Sequence, residues 1–261
     1  MRLFDAHFHV IDPRFPLVAN QGFLPAPFTV EDYRAQTTGL DVVGGTVVSG
    51  SFQAYDQTYL LDALARLGPG FVGVTQVPPS IGDDEVLALA AAGVCGFRVN
   101  LRRGGRERLD DLERLGPRLA ELAGWHAEVY LDGGDLAELA PRLRAPGLVI
   151  DHLGGSRAGL PALLELVAAG AHVKASGFGR TDHDVASALR AVASINPGAL
   201  LFGTDLPSTR AERPFEEADI ELVLDAAGPR ALYDNAAQLY LGRAGARSPV
   251  RSEHGRGTGA S

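Results

Sequence analysis

The sequence predicts a (β/α)8 barrel, and two features of the chain support this fold class. Short apolar segments with strand character, eight in all, alternate with helical segments over about 240 residues. In addition, the first strand does not lead into the glycine-rich turn of dinucleotide-binding sheets, because residues 6–11 contain no glycine. A doubly wound open sheet is the competing architecture, since the number of strands alone does not exclude it.

The predicted elements follow one another from the N-terminus. The first strand starts at Leu3 and continues through the sequence FDAHFHVI, and a proline-rich segment over residues 13–27 then forms a loop suited to a lid or pocket wall. Thr29, followed by acidic residues, predicts a helix N-terminus. Further strands are predicted at residues 41–49, 71–77, 94–101, 126–131, 148–153, 172–177 and 200–206. Further helices are predicted at residues 55–67, 83–92, 108–122, 135–143, 160–169, 182–195, 214–226 and 230–241.

Length and composition restrict the domain organisation and the partners. The 261 residues, 46% of them hydrophobic, suffice for a large core, and we expect a single barrel domain over residues 1–242. Residues 243–261 are rich in Gly, Ser and Arg without periodicity, which predicts a disordered tail. A net charge of −8 argues against a broad nucleic-acid-binding face.

The expected environment is the cytoplasm. Cys95 is the only cysteine, so no intrachain disulfide can form, and a reducing compartment is expected. The chain shows no signal-peptide pattern and no apolar run of transmembrane length. We therefore expect a soluble protein with a small-molecule substrate and no membrane partner, while a homo-oligomer stays open.

Two histidines stand one residue apart at the end of the first strand. Residues two apart on a strand project to the same side, so His7 and His9 are expected to point together and Phe8 away from them. Two buried imidazoles on one face are costly unless a divalent metal or an anionic substrate binds them. The same triplet also arises by chance, with each histidine bonded to a backbone carbonyl, so its function depends on the rest of the chain.

Other strand ends supply partners for this pair, because a barrel carries its active site at the C-terminal ends of its strands. His152 ends the sixth predicted strand, and Asp205 ends the eighth. Since the ring closes the eighth strand against the first, Asp205 can face His7 and His9. Asp151 is expected to support this group rather than to bind directly. A backbone-bonded histidine and a turn residue are the structural alternatives for His152 and Asp205.

Three neutral imidazoles and one carboxylate suit a single divalent ion such as zinc or manganese. The predicted ligands are His7, His9, His152 and Asp205. An ion would lower the pKa of a bound water, with Asp205 as ligand and general base. Without an ion, Asp205 could still activate water while the histidines, His152 among them as a catalytic residue, polarise a carbonyl. The residue types are compatible with both mechanisms.

Arginines near strand ends are candidates for binding an acidic substrate. Arg98 lies within the apolar fourth strand, where an unpaired guanidinium is costly, and Arg180 follows the seventh strand. Guanidinium groups bind carboxylates through two parallel hydrogen bonds, although pairing with an internal acid is the alternative for each arginine. Ser51, Tyr130 and Ser176 are further candidates for hydrogen bonds to the substrate.

Five motifs follow one another along the chain: DAHFHV, VIDHLGG, KASGFGR, FGTDLP and YDNAAQLY. In this order they resemble the amidohydrolase superfamily. More narrowly, they resemble its amidohydrolase-related branch, which contains the 2-pyrone-4,6-dicarboxylate lactonases and sugar-acid lactonases. The resemblance extends from about residue 2 to residue 241.

The resemblance implies a (β/α)8 hydrolase that opens a lactone or another cyclic ester or amide. The residues that match the active-site cluster of the family are His7, His9, His152 and Asp205, with Asp205 as the general base. Some members of the branch bind a divalent metal, whereas the pyrone-dicarboxylate lactonases work without one. The lysine that bridges two metals in binuclear relatives lies on a middle strand. Lys174 falls on the seventh predicted strand instead, so a binuclear site is not expected.

One position departs from the pattern of the dicarboxylate lactonases. The resemblance to these lactonases predicts an arginine near Gly155, after the histidine of the sixth strand. The nearest arginine of this chain is Arg157, two places later. The loss of one carboxylate-binding arginine argues against a dicarboxylate substrate, whereas the prediction of lactone chemistry is unaffected. We predict a hydrolase that opens a lactone of a carboxylate-bearing small molecule. The alternatives are a zinc-dependent non-oxidative decarboxylase of an aromatic or unsaturated acid and a catalytically silent, metabolite-binding barrel.

Overall fold

Eight parallel strands form one sheet in the computed structural model, which describes residues 1–105 and 108–242. The strands are β1 Leu3–Phe8, β2 Val42–Val48, β3 Phe71–Thr75, β4 Val94–Asn100, β5 His126–Tyr130, β6 Val149–Ile150, β7 His172–Ala175 and β8 Leu200–Phe202. Each strand pairs with the next one along the chain, from β1 to β8. This order is that of a (β/α)8 barrel rather than of a doubly wound sheet, and it confirms the predicted fold class.

The barrel closes where β1 meets β8, through bonds that lie just beyond the strand ends. The amide of Asp205 donates to the carbonyl of His7 at 2.7 Å, and the amide of His9 donates to the carbonyl of Leu206 at 2.8 Å. Segments that carry three of the predicted site residues therefore close the ring at its C-terminal edge.

Helices surround the strands. They are α1 Val30–Gln36, α2 Thr58–Leu67, α3 Asp83–Ala91, α4 Leu101–Gly104, α5 Arg108–Ala123, α6 Leu136–Leu139, α7 Leu160–Ala168, α8 Val185–Ile195, α9 Ala218–Ala227 and α10 Asp234–Tyr240. Helix α1 starts as predicted: the amide of Asp32 donates to the Thr29 hydroxyl at 3.3 Å, and the Asp32 carboxylate accepts from the Thr29 amide at 2.8 Å. This reciprocal pair is a capping box, which satisfies two amides that have no partner within the helix.

The helix predicted over residues 135–143 is interrupted in the structure. After α6, a 3-10 turn over Ala140–Arg142 takes the place of its second half. The proline in this turn has no amide hydrogen, so it cannot continue the α-helical hydrogen bonds. The helix predicted over residues 230–241 likewise becomes α10 only after a 3-10 turn over Pro229–Leu232.

Apolar packing occupies two regions of the barrel. The larger cluster lies between the strands and the surrounding helices, and a smaller one joins strand residues to α10. In the smaller cluster the ring of Phe4 stacks on that of Tyr240, with the centroids 5.6 Å apart. Charged side chains are nevertheless fully buried on the strands as well, among them Lys174 on β7 and Glu128 on β5.

Two further expectations concern membrane contact and the C-terminal tail. Among the described helices, none combines the length and the apolar composition that crossing a bilayer requires. The tail predicted for residues 243–261 lies outside the described residues.

Candidate active site

His7 and His9 lie where the first strand ends. Their ring centroids are 5.0 Å apart, whereas Phe8 between them stacks on Tyr33. The side-chain alternation thus places both imidazoles together, as the sequence predicts. The register of β1 against β2 shifts between Asp5 and Phe8, so the strand is irregular at this end.

One carboxylate oxygen of Asp205 lies among the imidazoles. Its Oδ1 atom is 3.8 Å from Nε2 of His7 and 3.8 Å from Nε2 of His9. The same atom is 3.9 Å from Nε2 of His152. All four side chains are buried. The structure therefore brings together the four residues that the sequence predicts as metal ligands.

Asp205 and His152 both adopt left-handed backbone conformations. Their φ angles are 60° and 51°, in a region that residues other than glycine rarely occupy. Such a conformation costs about 1–3 kcal/mol and is often found at functional sites. The sixth strand is shorter than predicted at this point. It consists of Val149–Ile150 instead of residues 148–153, and a 3-10 turn over His152–Gly154 follows it.

A buried acid, Asp5, connects β1 to the segment that carries Asp205. Its Oδ1 atom accepts from the amides of Thr204 at 2.8 Å and His7 at 3.2 Å. Its Oδ2 atom accepts from the hydroxyls of Thr204 at 2.7 Å and Tyr33 at 3.0 Å. These bonds hold the residue before Asp205 against the backbone of His7.

Burial sets the protonation states of the cluster. It raises the pKa of Asp205 above its usual range, although the guanidinium of Arg180 acts in the opposite direction. Burial also lowers the pKa of His9 to about 3, and it lowers the pKa of both His7 and His152 well below the usual range. At neutral pH the three imidazoles are therefore uncharged, and each carries one ring proton.

The hydrogen-bond partners of the Nδ1 atoms help to determine which ring nitrogen of His9 and of His152 carries that proton. Nδ1 of His9 lies 2.7 Å from the carbonyl oxygen of Val48, and a carbonyl only accepts, so the proton of His9 is on Nδ1. Nε2 of His9 therefore presents a lone pair to Asp205. Nδ1 of His152 lies 3.0 Å from the hydroxyl of Ser176, which can donate or accept, so both tautomers of His152 fit this bond.

Both arginines predicted to bind substrate are paired with acids of the cluster. Arg98 is buried and donates to Oδ2 of Asp151 from Nε at 3.0 Å and from Nη2 at 2.8 Å. Its Nη1 atom donates to the carbonyl of Ser49 at 2.9 Å. Arg180 donates from Nε to Oδ2 of Asp205 at 2.5 Å. Each guanidinium has further N–H groups, so these pairs do not use its full donor capacity.

A pocket opens beside the imidazoles, and arginines line much of it. Its wall includes Ser51, Arg98, Arg103, Tyr130, Arg180 and Arg210. Of the residues predicted to contact the substrate, Ser51 and Tyr130 line this pocket together with the two predicted arginines. Ser176 is not among the residues that line this pocket, and its hydroxyl lies 3.0 Å from Nδ1 of His152.

The tip of the proline-rich loop after β1 forms part of the pocket wall, as expected. Asn20 and Phe23 pair across a two-residue turn. Nη2 of Arg210 donates to the carbonyl of Asn20 at 2.5 Å, and its guanidinium lies 4.2 Å from the ring centroid of Phe23. Arg103 donates to the side-chain oxygen of Gln21 at 3.2 Å. Two pocket arginines therefore contact the loop tip directly.

Comparison with known proteins identifies the family. A match to the amidohydrolase family extends over residues 4–241. The chain belongs to the amidohydrolase family. This result confirms the family that the five motifs predict, and with it the expected class of enzyme, a hydrolase of the amidohydrolase type.

Curated relatives of this amidohydrolase include two named hydrolases. The 2-pyrone-4,6-dicarboxylate hydrolase of Comamonas testosteroni is 32% identical over 156 residues, which cover 58% of this chain and 51% of that protein. The match thus spans about half the length of that relative. The 4-sulfomuconolactone hydrolase of Hydrogenophaga intermedia is 25% identical over 269 residues, which cover 90% of this chain and 88% of the relative.

Solved structures resemble this amidohydrolase over almost its whole length. An apo structure from Agrobacterium tumefaciens matches with a TM-score of 0.80 and 28% identity, covering 95% of this chain and 97% of the other. A Pseudomonas putida protein, proposed to be a 2-pyrone-4,6-dicarboxylic acid hydrolase, matches with a TM-score of 0.77 and 26% identity, covering 91% and 97%.

The donor atoms of this amidohydrolase fit one divalent metal ion. Two overlapping groups place ligand atoms within 4.8 Å of one another: His7 with His9 and Asp205, and His7 with Asp151 and His152. Among the described residues, Nε2 of His7 and Oδ1 of Asp205 are buried without a hydrogen-bond partner. Imidazole nitrogens and carboxylate oxygens are ligands that zinc accepts.

Sequence reasoning assigned no role to three residues that the structure places at this site. Nζ of Lys174 lies 3.1 Å from Nδ1 of His7. Lys174 is the single lysine among 24 Lys and Arg residues, and this rarity could have marked it as a site residue. Arg103 and Arg210 line the pocket from segments without periodicity, so no pattern in the sequence marked them.

Proposed function

We propose that this chain opens the lactone ring of a small molecule that carries an anionic group. The observation that carries the proposal is the position of Asp205, whose Oδ1 atom lies 3.8–3.9 Å from three uncharged imidazoles beside an arginine-lined pocket. A base, neutral hydrogen-bonding groups and positive charge are thereby combined in one place. Attack of water on the ring ester of an anion uses all three.

In the proposed reaction, Asp205 takes a proton from water while the water oxygen forms a bond to the ring carbonyl carbon. The electron pair of the carbonyl moves onto its oxygen, where an Nε2–H group of His7 or His152 stabilises the developing charge. The ring C–O bond then breaks, and the leaving oxygen takes the proton from Asp205. One water is consumed, and the product gains a carboxyl and a hydroxyl group.

The environment of the cluster supports these roles. Burial moves the pKa of Asp205 upward, towards the range in which a carboxylate accepts a proton more readily at neutral pH. The lone pair on Nε2 of His9 can accept the second hydrogen of the attacking water. His7 and His152 are uncharged, so they can donate a hydrogen bond without carrying a buried positive charge.

A divalent ion, zinc or manganese, is compatible with the same proposal. His7, His9 and Asp205 would hold it, with His152 beside them. When bound, the ion supplies a water of lowered pKa and polarises the carbonyl. Elemental mass spectrometry on protein purified without added metal or chelator gives the metal content per chain. About one equivalent supports a metal-assisted hydrolase, and a folded protein that takes up none on dialysis supports the metal-free reaction.

An anionic lactone is the proposed substrate class. The two curated relatives are named for a pyrone dicarboxylate and a sulfomuconolactone, both of which carry anionic groups. The pocket arginines of this chain support the same class. Arg157 adds no further clamp, because it is not among the residues that line this pocket, and its Nη2 atom donates to the carbonyl of Asp182 at 3.1 Å.

Ring opening across a panel of lactones tests the proposal. Carboxylated and sulfonated lactones are expected to be hydrolysed with the uptake of one water, and Asp205→Asn is expected to lower kcat by roughly 10²–10⁴-fold. Asp182→Asn, an exposed acid, is the matched control and is expected to keep normal activity. Near-normal turnover by Asp205→Asn contradicts the role of Asp205. Release of carbon dioxide without ring opening favours a decarboxylase, and binding without turnover favours a silent barrel.

A further inference from the structure

Lys174 lies behind His7 within a group of buried polar side chains. Its Nζ atom is 3.1 Å from Nδ1 of His7 and 3.6 Å from Oδ1 of Asp151, and it forms a close ion pair with Oε2 of Glu128. The hydroxyl of Tyr240 donates to the other oxygen of Glu128 at 2.7 Å. Two carboxylates therefore hold the ammonium group against the ring of His7.

Nδ1 of His7 has two neighbours that require opposite positions of the ring proton. An ammonium group only donates, so a bond from Lys174 requires a lone pair on Nδ1 and places the proton of His7 on Nε2. A carboxylate only accepts, so a bond to Oδ1 of Asp151, 3.4 Å away, requires the proton on Nδ1. The shorter separation favours the bond from Lys174.

The neighbouring histidine shows the opposite arrangement. His9 donates from Nδ1 to the carbonyl of Val48 and keeps a lone pair on Nε2. This is the tautomer that a metal ligand needs, because ligating histidines donate their other N–H to a carbonyl or a carboxylate. With a proton on Nε2, His7 directs an N–H group towards Oδ1 of Asp205, which is 3.8 Å away, and it cannot bind an ion through that atom.

We propose that Lys174 is a positioning residue that fixes His7 as an Nε2–H donor and competes with any metal ion for this histidine. The proposal rests on the proposed function in one respect only, since the Nε2–H group is the one that would stabilise the oxyanion. A metal can use Nε2 of His7 only when the proton moves to Nδ1 and bonds to Asp151. Lys174 thereby biases the site towards chemistry carried by hydrogen bonds.

The ¹⁵N chemical shifts of the His7 ring in the wild-type protein test the tautomer directly and need no substrate. The spectrum is recorded on histidine-labelled protein dialysed against chelator, and the His7→Gln variant identifies the signals. A protonated Nε2 and an unprotonated Nδ1 are expected for His7, with the reverse for His9. A proton on Nδ1 of His7 overturns the proposal.

Zinc affinity provides the second test. Lys174→Met combined with Glu128→Gln removes the buried pair without leaving a lone charge, and Glu128→Gln alone is the matched control. The double variant is expected to bind zinc on the order of tenfold more tightly than the control, the size of effect that partners behind metal ligands commonly have. In the double variant the His7 proton is expected on Nδ1. Equal or weaker zinc binding than the control overturns the competition. Neither measurement uses turnover, so a failed lactonase assay is distinguishable from a failure of this proposal.

Discussion

Nε of Arg180 lies 2.5 Å from Oδ2 of Asp205, while Oδ1 of the same carboxylate lies among three imidazoles. The guanidinium therefore orients the proposed base at one oxygen and leaves the other to face the histidines. It also holds the pKa of Asp205 lower than burial alone would set it. Arg180 thus orients Asp205 and lowers its pKa, in addition to the substrate contact that the sequence predicts.

Arg180→Gln is expected to move the acid limb of the kcat/KM profile to higher pH. Asp205 accepts a proton only when ionised, so activity falls as the pH drops through its pKa, and loss of the guanidinium raises that pKa further. The variant is expected to lose roughly tenfold more activity at acidic than at alkaline pH. Arg213→Gln, which removes an arginine paired with Asp219 outside the pocket, is the control. An unchanged limb would show that Arg180 does not tune Asp205.

Arg210→Gln is expected to lower kcat/KM for anionic lactones by roughly tenfold or more, with a smaller effect on uncharged lactones. Within residues 1–105 and 108–242, Arg210 forms no ion pair, and its pKa is lowered by burial and by the charges of Arg103 and Arg180. An anionic group on the substrate would relieve this repulsion and accept charge-assisted hydrogen bonds. The measurement compares both substrate classes in the variant and in the control Arg230→Gln. Equal losses for both classes would contradict the assignment.

Much of this site could be predicted because it depends on local pattern and on ring closure. The two-residue spacing of His7 and His9 fixes their common side, and the strand ends place His152 and Asp205 at the same edge of a barrel. These relations need no knowledge of the partners of any side chain. The four side chains lie together as these relations predict, while their catalytic and metal-binding roles stay predictions.

Pairings between distant strands could not be predicted in the same way. Arg98 reaches Asp151, and Lys174 reaches both Glu128 and His7, because of the register and inclination of strands that the sequence does not encode locally. For Arg98 the sequence left pairing with an internal acid and binding of substrate open, and the structure shows the internal pair. Packing across the barrel interior sets such internal pairs, and substrate binding by the remaining N–H groups of Arg98 stays a prediction.

Gly203→Ala is expected to reduce both stability and activity. A Cβ atom at position 203 would lie 2.8 Å from the backbone nitrogen of His7 and 2.9 Å from its Cβ, so the backbones of β1 and β8 would have to separate. Overpacking of this kind costs about 1–3 kcal/mol, and displacement of Asp205 relative to His7 is expected to lower kcat/KM by up to about 100-fold. Urea unfolding and turnover are measured beside Gly134→Ala, an exposed position where the added Cβ meets only Oδ1 of Asp132 at 3.7 Å. Wild-type values for both quantities would contradict the close approach.

Asp5 is expected to make the protein less stable as the pH rises from about 4 to 6. Burial raises the pKa of Asp5 from its ordinary 3.8 to about 6, so the folded state keeps a proton that the unfolded state has already released. A group that binds more protons in the folded state loses its stabilising contribution as the pH rises through this interval. The loss is on the order of 3 kcal/mol and is complete above the folded pKa.

Urea unfolding of the wild type and of Asp5→Asn between pH 4 and pH 7 measures this contribution, because asparagine does not titrate. The difference in the free energy of unfolding, wild type minus variant, is expected to fall across the interval and then to become constant. Two influences oppose each other at Asp5: burial disfavours the carboxylate, and four hydrogen bonds, two of them from the amides of His7 and Thr204, favour it. A difference that stays constant or rises with pH would mean that the hydrogen bonds prevail and that Asp5 is ionised at the closure of the barrel.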